Sequence, residues 1–225
     1  MAKSGATSGV NQTSSVRSIE TRRIFVDAAI VTLQQEGFVG ASARAIAERA
    51  GSNQALIFYH FGSVANLLLA ALDSVSNDRL SHYGTMVADA HTPSELVDVA
   101  TDIFRTDLDA GYITVLVEMI AGASSTPDMG AEVAARIRPW REFAESAIEH
   151  SLGDSPLSTL LPAADVAYAI VALYLGLEML SHLDGDREPA LNLFAHAQRL
   201  SQLLATMTGT TTGTTTGADV ADVQA

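Results

Sequence analysis

The chain has 225 residues, of which 48% are apolar, and its formal net charge is −13. This composition is typical of a globular protein and excludes a largely disordered chain. The absence of cysteine excludes a disulfide framework, a thiol nucleophile and a cysteine metal site. Residues 1–16 are small and polar, so no secretory signal is predicted. The longest charge-free apolar run of the C-terminal half, residues 166–177, is too short to span a bilayer, and we expect a soluble, cytoplasmic protein.

The charge is divided unevenly along the chain. Residues 1–63 carry six Lys/Arg and four Asp/Glu, a net charge of +2, whereas residues 64–225 carry seven basic and 22 acidic residues, a net charge of −15. An acidic body repels DNA and a mildly basic head tolerates it, so the distribution favours two modules of which the first approaches nucleic acid. The acidic excess is otherwise typical of a solvated surface.

The first elements in chain order are an arm and a helix. Residues 1–17 are rich in Ser, Thr, Gly and Ala and predict a flexible arm. Ser18 is a candidate N-cap for a helix over residues 20–36, which ends at Gly37. Arg22 lies in the first turn of this helix, where its charge opposes the helix dipole and is tolerated if a phosphate lies nearby.

Two short helices around a tight glycine turn are predicted next. Ser42 caps the first of them, and Gly51 ends it in the left-handed conformation, which costs glycine almost nothing. Ser52 or Asn53 caps the second helix, which covers residues 54–60. Two helices joined in this way form a helix-turn-helix, whose second helix enters the DNA major groove. We therefore expect a three-helix DNA-binding head over residues 18–63.

Several motifs in this region occur in a fixed order. They are Gly37-Phe38 after the first helix, Ile46-Ala47 with Ala50-Gly51 around the turn, and Tyr59-His60-Phe61 at the end of the recognition helix. Over residues 22–68 the chain resembles the TetR family of bacterial transcriptional regulators in these motifs, which together are far more specific than a lone helix-turn-helix. The resemblance implies a homodimer that binds a palindromic double-stranded DNA operator and a small-molecule effector held in a helical body.

The side chains expected at DNA lie on the recognition helix and around it. Asn53 and Gln54 match the donor–acceptor edge of adenine, although both are also common helix-start residues. Arg44 resembles a family position that reaches bases or backbone, and an ordinary exposed arginine is the alternative. The predicted DNA contacts are Arg22, Ser42, Arg44, Asn53, Gln54, Ala55, Leu56, Tyr59, His60 and Ser63.

The head departs from the family pattern in three places. Residues 55–58 read Ala-Leu-Ile-Phe instead of Gly-Thr-Leu-Tyr, so Phe58 lacks a phenol that could bond a phosphate. Val64 replaces a common lysine, and Asn66 replaces the glutamate that would complete a capping box with Ser63. Because the recognition helix has no Lys or Arg, we expect weak non-specific DNA binding.

An all-helical body for ligand binding and dimerisation is predicted over residues 64–207. Residues 163–180 are apolar on almost every side and residues 189–207 carry two apolar stripes, so both helices need cover on two sides. A two-fold dimer provides it and sets the recognition helices roughly 34–36 Å apart. The predicted dimer residues are Tyr168, Val171, Leu175, Leu193, His196, Leu200 and Leu204. Residues 208–225 predict a disordered tail.

The body offers few candidates for chemistry. The predicted effector-pocket residues are Phe104, Tyr112, Glu118, Met119, Trp140, Phe143 and Tyr168, although aromatic residues at helical spacing are more often plain core. Glu118 could answer a polar group of an effector or pair with Arg105 or Arg141. The His and acidic residues at 182–188 could hold a metal, but their spacing is equally that of a solvated turn. We expect no metal, no cofactor and no catalytic residue.

The sequence therefore predicts an all-α regulator, most simply a repressor released from DNA by a largely apolar small molecule, with no membrane partner. A helical ligand- or partner-binding protein with weakened DNA binding is the first alternative, and Phe58 and Val64 motivate it. A helical enzyme that uses Glu118 or the loop at residues 182–188 is the second.

Overall fold

The structure is a computed structural model that describes residues 8–124, 126, 128–152 and 162–207. Within these ranges the regular structure is helical, with no strand. The helices are α1 Ser8–Gly40, α2 Ala43–Arg49, α3 Gln54–Phe61, α4 Val64–Ala88, α5 Pro93–Ala110, α6 Tyr112–Ala123, α7 Met129–Leu152, α8 Ala163–Asp184 and α9 Glu188–Met207. The all-α prediction is confirmed, while residues 1–7 of the predicted arm and the predicted tail at 208–225 lie outside the described residues.

Helix α1 is longer than predicted. It begins at Ser8, so the predicted start at Ser18 is wrong and residues 8–17 of the predicted arm are helical. Residues 10–17 contain neither glycine nor proline, and nothing in this stretch interrupts the helix. The predicted end is confirmed, because Gly37 has a φ of 70° and breaks the helical run before residue 40.

The helix-turn-helix follows the predicted local signals. The Ser42 Oγ accepts a hydrogen bond from the Ala45 amide at 3.2 Å, and the Asn53 Oδ1 accepts one from the Ala55 amide at 2.9 Å. Gly51 has a φ of 59° between the two helices. Each cap satisfies an amide that the first turn of a helix leaves unpaired.

One hydrophobic core joins the head to the body. Its members include Phe25 of α1, Ile46 of α2 and Ile57 of α3, together with Val115 and Met119 of α6. Helix α1 packs on α4 and α6 as well as on α2. The division at residues 63 and 64 therefore stays a prediction, because the packing does not stop there.

The remaining helices build the body around α7. Helix α8 packs on α7, and α9 packs on α5. By length and composition α8 is the one described helix that by itself could cross a membrane, and only 11% of its apolar window is buried. The large exposed apolar side chains of α8 and α9 are Tyr168, Ile170, Leu173, Met179, Leu180, Leu183, Leu193, Leu200, Leu203 and Leu204. These two helices thus carry an apolar surface that one chain alone leaves in contact with water.

Candidate nucleic-acid interface and ligand cavity

The recognition helix α3 has a buried side and an exposed side. Ile57 is fully buried and Phe61 nearly so, which anchors the helix in the core. Tyr59 is 80% exposed, and Gln54 and Leu56 are exposed beside it. The exposed side is the one available to a DNA groove.

Arg22 fastens α1 to the end of the recognition helix. Its Nη1 donates a hydrogen bond to the His60 carbonyl, and its guanidinium lies 4.3 Å from the centre of the Phe61 ring. The last carbonyls of a helix have no partner within the helix and carry partial negative charge, so this cation stabilises them. Because Arg22 remains exposed, its predicted contact with a phosphate is compatible with this role.

Asn66 performs a task that the sequence did not suggest. Its Nδ2 donates to the Phe61 carbonyl at 2.9 Å, while its backbone amide donates to the Ser63 Oγ at 3.1 Å. The turn between α3 and α4 is therefore held from both sides without the glutamate of a capping box. The predicted cap at Ser63 is confirmed.

The predicted DNA residues lie on α1, α2 and α3 and at the N-caps of α2, α3 and α4. Eight of them are exposed and two are half-buried: Arg22, Ser42, Arg44, Asn53, Gln54, Ala55, Leu56 and Tyr59, then His60 and Ser63. Within the described residues the Arg44 side chain has no hydrogen bond or ion pair, whereas Arg49 on the same helix pairs with Glu36 at 2.8 Å. Arg44 is thus the cation of α2 whose charge is not already paired in the described part of the chain.

A cavity of about 320 Å³ lies in the body, and each of α4–α9 contributes to its wall. Trp140 and Phe143 line it, as predicted. The other predicted pocket residues, which do not line this cavity, are Phe104, Tyr112, Glu118, Met119 and Tyr168. A volume of this size falls in the range of small-molecule sites.

The prediction failed at these five residues because their positions depend on distant partners. Phe104 and Met119 are fully buried in the packing between helices. Tyr168 is exposed, with the Arg141 guanidinium 5.0 Å from its ring centre. Tyr112 lines only a smaller neighbouring pocket.

Glu118 connects the body to the head. Its Oε2 accepts a hydrogen bond from the Phe38 amide at 2.7 Å, immediately after the break at Gly37. It therefore ties α6 to the chain just after the helical run of α1 breaks, and the predicted pairing with Arg105 or Arg141 is not observed. Arg105 instead pairs with Asp102.

A buried polar cluster beside the cavity was missed by sequence reasoning. The Arg79 Nε donates to the Asp107 Oδ1 at 2.9 Å, and the Arg79 Nη2 donates to the Asp107 Oδ2. The Tyr83 hydroxyl donates to Oδ1 at 2.5 Å, and the Tyr174 hydroxyl donates to Oδ2. The signal was present in the spacing, since Arg79 lies four residues from both Val75 and Tyr83 on the buried face of α4.

Glu178 is the second acid of this region. Its side chain is fully buried, and neither carboxylate oxygen has a hydrogen-bond partner among the described residues. Burial and then the charge of Asp107 raise the pKa of Glu178 to about 8, against the smaller opposing effects of Tyr174 and Arg79. An acid in such a place is protonated over most of the neutral range.

The loop between α8 and α9 has an ordinary structural explanation. Arg187 pairs with Asp109 at 2.6 Å, and the Asp186 Oδ1 accepts a hydrogen bond from the Glu188 amide at 2.9 Å. Among the described residues, no group of three or more His, Asp or Glu side chains is placed to hold a metal ion.

The predicted dimer residues divide into two groups. Tyr168, Leu193, His196, Leu200 and Leu204 are exposed on α8 and α9. The other two are half-buried in their own chain: Val171 lines the cavity, and Leu175 packs against the main core. Leu193 also lines the cavity.

Comparison with known proteins agrees with this geometry. The family model described as bacterial regulatory proteins, tetR family, matches residues 25–71. Among curated proteins, none matches the chain.

Solved structures share the fold over most of the chain. A TetR-family regulator from Cytophaga hutchinsonii has a TM-score of 0.69 and 18% identity, covering 83% of this chain and 95% of its own. A TetR regulator from Chloroflexus aurantiacus has a TM-score of 0.65 and 21% identity, covering 84% and 96%. FadR from Bacillus subtilis, in complex with stearoyl-CoA, has a TM-score of 0.67 and 12% identity, covering 79% and 96%. Together with the capped helix-turn-helix, the match at residues 25–71 identifies the head as a DNA-binding domain of the tetR family of bacterial regulatory proteins, and the chain as a DNA-binding transcriptional regulator.

Proposed function

We propose that the protein is a homodimeric repressor that binds a palindromic operator and leaves it when a largely apolar small molecule enters the cavity. The observation that carries the proposal is the combination, in one chain, of an exposed recognition surface on α3 with an apolar cavity in the body. We place the protein in the cytoplasm, with no membrane partner and no catalytic activity.

Contact with DNA is proposed for the exposed side of α3 and the arginines beside it. Asn53 and Gln54 open the helix and suit an adenine edge, and Leu56 suits a thymine methyl group. Arg22 and Arg44 suit the phosphates on either side. The absence of a cation on α3 itself supports weak non-specific binding, so that discrimination between sequences depends on the bases.

Dimerisation is proposed through the exposed apolar side chains of α8 and α9. Leu200 is 58% exposed and Leu203 is 60% exposed, and a contiguous apolar surface of this kind marks an interaction site. In a two-fold dimer, each chain would cover this apolar surface of the other chain. This also explains why α8 is apolar enough to resemble a membrane span, since its outer side would face a protein rather than water.

The effector is proposed to act through α6. Leu116 lines the cavity, and two residues later Glu118 holds the end of α1. Arg22 of α1 in turn holds the end of α3. FadR from Bacillus subtilis, which shares this fold, binds stearoyl-CoA, and this supports a small-molecule effector here. To move the operator from nearly full to nearly empty occupancy, the effector must favour the released state by about 5.5 kcal/mol.

The test is fluorescence anisotropy with DNA from the upstream region of the gene, titrated at several salt concentrations. We expect saturable binding at two chains per duplex, and we expect Gln54→Ala and Tyr59→Ala to abolish it. His82→Ala, at an exposed site on α4, is the matched control and should leave binding unchanged. The helical ligand-binding alternative is correct if a folded dimer does not bind this DNA and if selection from a random-sequence pool at low salt recovers no bound sequence.

A further inference from the structure

We infer that the cavity selects electrically neutral, apolar molecules and rejects carboxylates of the same length. This inference rests on the proposed role of the cavity as the effector site. It depends on the polar groups at the cavity wall, which are few and whose main hydrogen bonds are made within the protein.

The wall is almost entirely hydrocarbon. Aliphatic side chains such as Leu96, Ile103 and Ile137 supply most of it, together with Trp140 and Phe143. Among the residues that line the cavity, Arg79 is the only charged one. An apolar ligand therefore gains from burial along its whole length, and selection by charge falls to Arg79 and its neighbours.

The charge of Arg79 is neutralised before any ligand arrives. Two of its nitrogens donate to the two oxygens of Asp107, the bidentate arrangement that a ligand carboxylate would itself need. The face of its guanidinium is also covered, because the Trp140 ring centre lies 4.4 Å away. A ligand carboxylate that took over this bidentate contact would have to displace Asp107 and leave that acid unpaired in the interior.

The remaining donors at the wall are committed as well. The Tyr174 hydroxyl donates to Asp107, and the Trp140 indole Nε1 donates to the Ser76 Oγ at 3.4 Å. A carboxylate that enters the cavity would thus lose its hydration and meet only a guanidinium whose charge Asp107 already neutralises, which is unfavourable. A neutral molecule has no such loss.

Glu178 makes the region still less suited to an anion. It lies four residues after Tyr174 on α8, is fully buried, and has no hydrogen-bond partner for either oxygen among the described residues. Protonated or ionised, it supplies no positive charge. The charges of Arg79, Asp107 and Glu178 therefore sum to zero or to −1, and neither value attracts a carboxylate.

The inference can be tested with three molecules that differ only in the head group. The full-length protein is loaded near neutral pH with the neutral fluorescent probe N-phenyl-1-naphthylamine, and 1-decanol, decanoate and decylamine are titrated as competitors. We expect decanol to displace the probe at a concentration at least about tenfold lower than decanoate does. Decylamine should also be weaker than decanol, because its ammonium group loses hydration too.

Variants locate the selectivity in the cluster. Asp107→Asn frees Arg79, so the ratio of decanoate to decanol displacement constants should fall by about tenfold or more. Asp102→Asn removes an exposed acid of the same helix, paired with Arg105, and should leave that ratio unchanged. If Asp107→Asn does not fold, as judged by its circular dichroism melt, Glu178→Gln provides the second test. Measured at about pH 9, above the pKa of Glu178, this variant removes a negative charge without touching the Arg79–Asp107 pair and should also lower the ratio.

Each outcome has one meaning. If decanoate displaces the probe at the same or a lower concentration than decanol, the proposed selectivity is wrong, although the cavity can still be the effector site. The same conclusion follows if decylamine binds most tightly. If the folded protein binds neither the probe nor decanol, the proposed effector role of the cavity fails and the inference fails with it.

Discussion

Individual side chains between helices hold the recognition helix in place. Arg22 reaches the His60 carbonyl from α1, and Asn66 reaches the Phe61 carbonyl from α4. Both acceptors belong to the last turn of α3, where carbonyls lack partners within the helix. The short recognition helix therefore depends on neighbouring helices for hydrogen bonds to its C-terminal carbonyl groups.

We expect Arg22→Ala to lower the free energy of unfolding by about 1 kcal/mol, since a hydrogen bond from a charged donor and a ring contact are lost together. Urea unfolding at a fixed protein concentration measures the change. Arg23→Ala is the control, because Arg23 only pairs with Glu20 on the surface and its loss should cost less than about 0.5 kcal/mol. Equal effects of the two substitutions would contradict the role given to Arg22.

Glu178 makes stability depend on pH. Its pKa rises from 4.5 to about 8 on folding because of burial and Asp107, while Arg79 and Tyr174 partly oppose the shift. The folded protein then holds a proton that the unfolded chain has released. The free energy of unfolding should fall as the pH rises from about 5 to about 8, by up to about 1.4 kcal/mol per unit, and level off above that window.

Glu178→Gln should flatten this dependence. Urea unfolding across the same pH range, on both proteins, checks the expectation. The pKa of Tyr83, which also contacts Asp107, ordinarily lies above this window and burial raises it further, so Tyr83 does not contribute to the slope. An unchanged slope in Glu178→Gln would assign the pH dependence to other groups.

Helix α6 interlocks with the end of α1. Glu118 holds the Phe38 amide, and the Phe38 ring lies directly over Gly122, where an added Cβ would come within 2.3 Å of the ring. The same helix reaches the cavity through Leu116. Helix α6 therefore connects the cavity with the head, as α4 also does through its contacts with α1 and α3.

Gly122→Ala should disturb this junction. The new methyl group forces the Phe38 ring away, and we expect a loss of about 1–3 kcal/mol in the free energy of unfolding and weaker operator binding. Gly130→Ala is the matched control, since an added Cβ at Gly130 of α7 has no neighbour within 4 Å and should change stability by less than about 1 kcal/mol. Urea unfolding and DNA anisotropy would be compared for the two variants, and similar results would rule out a tight junction.

At the scale of the whole molecule, charge and apolar surface are separated. The head carries a small positive net charge, the body carries the acidic excess, and the large exposed apolar side chains are concentrated on α8 and α9. This division suits the proposed approach of the head to DNA and the proposed contact of the body with a second copy.

Leu200→Asp should convert the dimer into monomers, because it places a charge in the centre of the proposed apolar contact. Sedimentation velocity at several concentrations measures the result. Val39→Asp makes the same chemical change at a residue that is 96% exposed in the head, and it should leave the dimer intact. A dimer that survives Leu200→Asp would require another interface.

Local signals made the head predictable, whereas the site in the body depends on distant partners. The caps at Ser42 and Asn53 act over two or three residues, so the sequence alone identifies them. Glu118 meets Phe38 across 80 residues of chain, and no periodicity indicates that pairing. The Arg79–Asp107 cluster was marked only by polar residues on apolar faces, and the cavity depends on the packing of six helices.

Two cavity-lining residues, Val171 and Leu193, also lie on the face proposed to meet a second chain. In the dimer, occupancy of the cavity and association of the chains would then share part of one surface and be thermodynamically linked. Any factor by which a ligand strengthens or weakens association is also the factor by which association changes the affinity for that ligand. The concentration of the regulator in the cell would therefore help to set the effector concentration at which it responds.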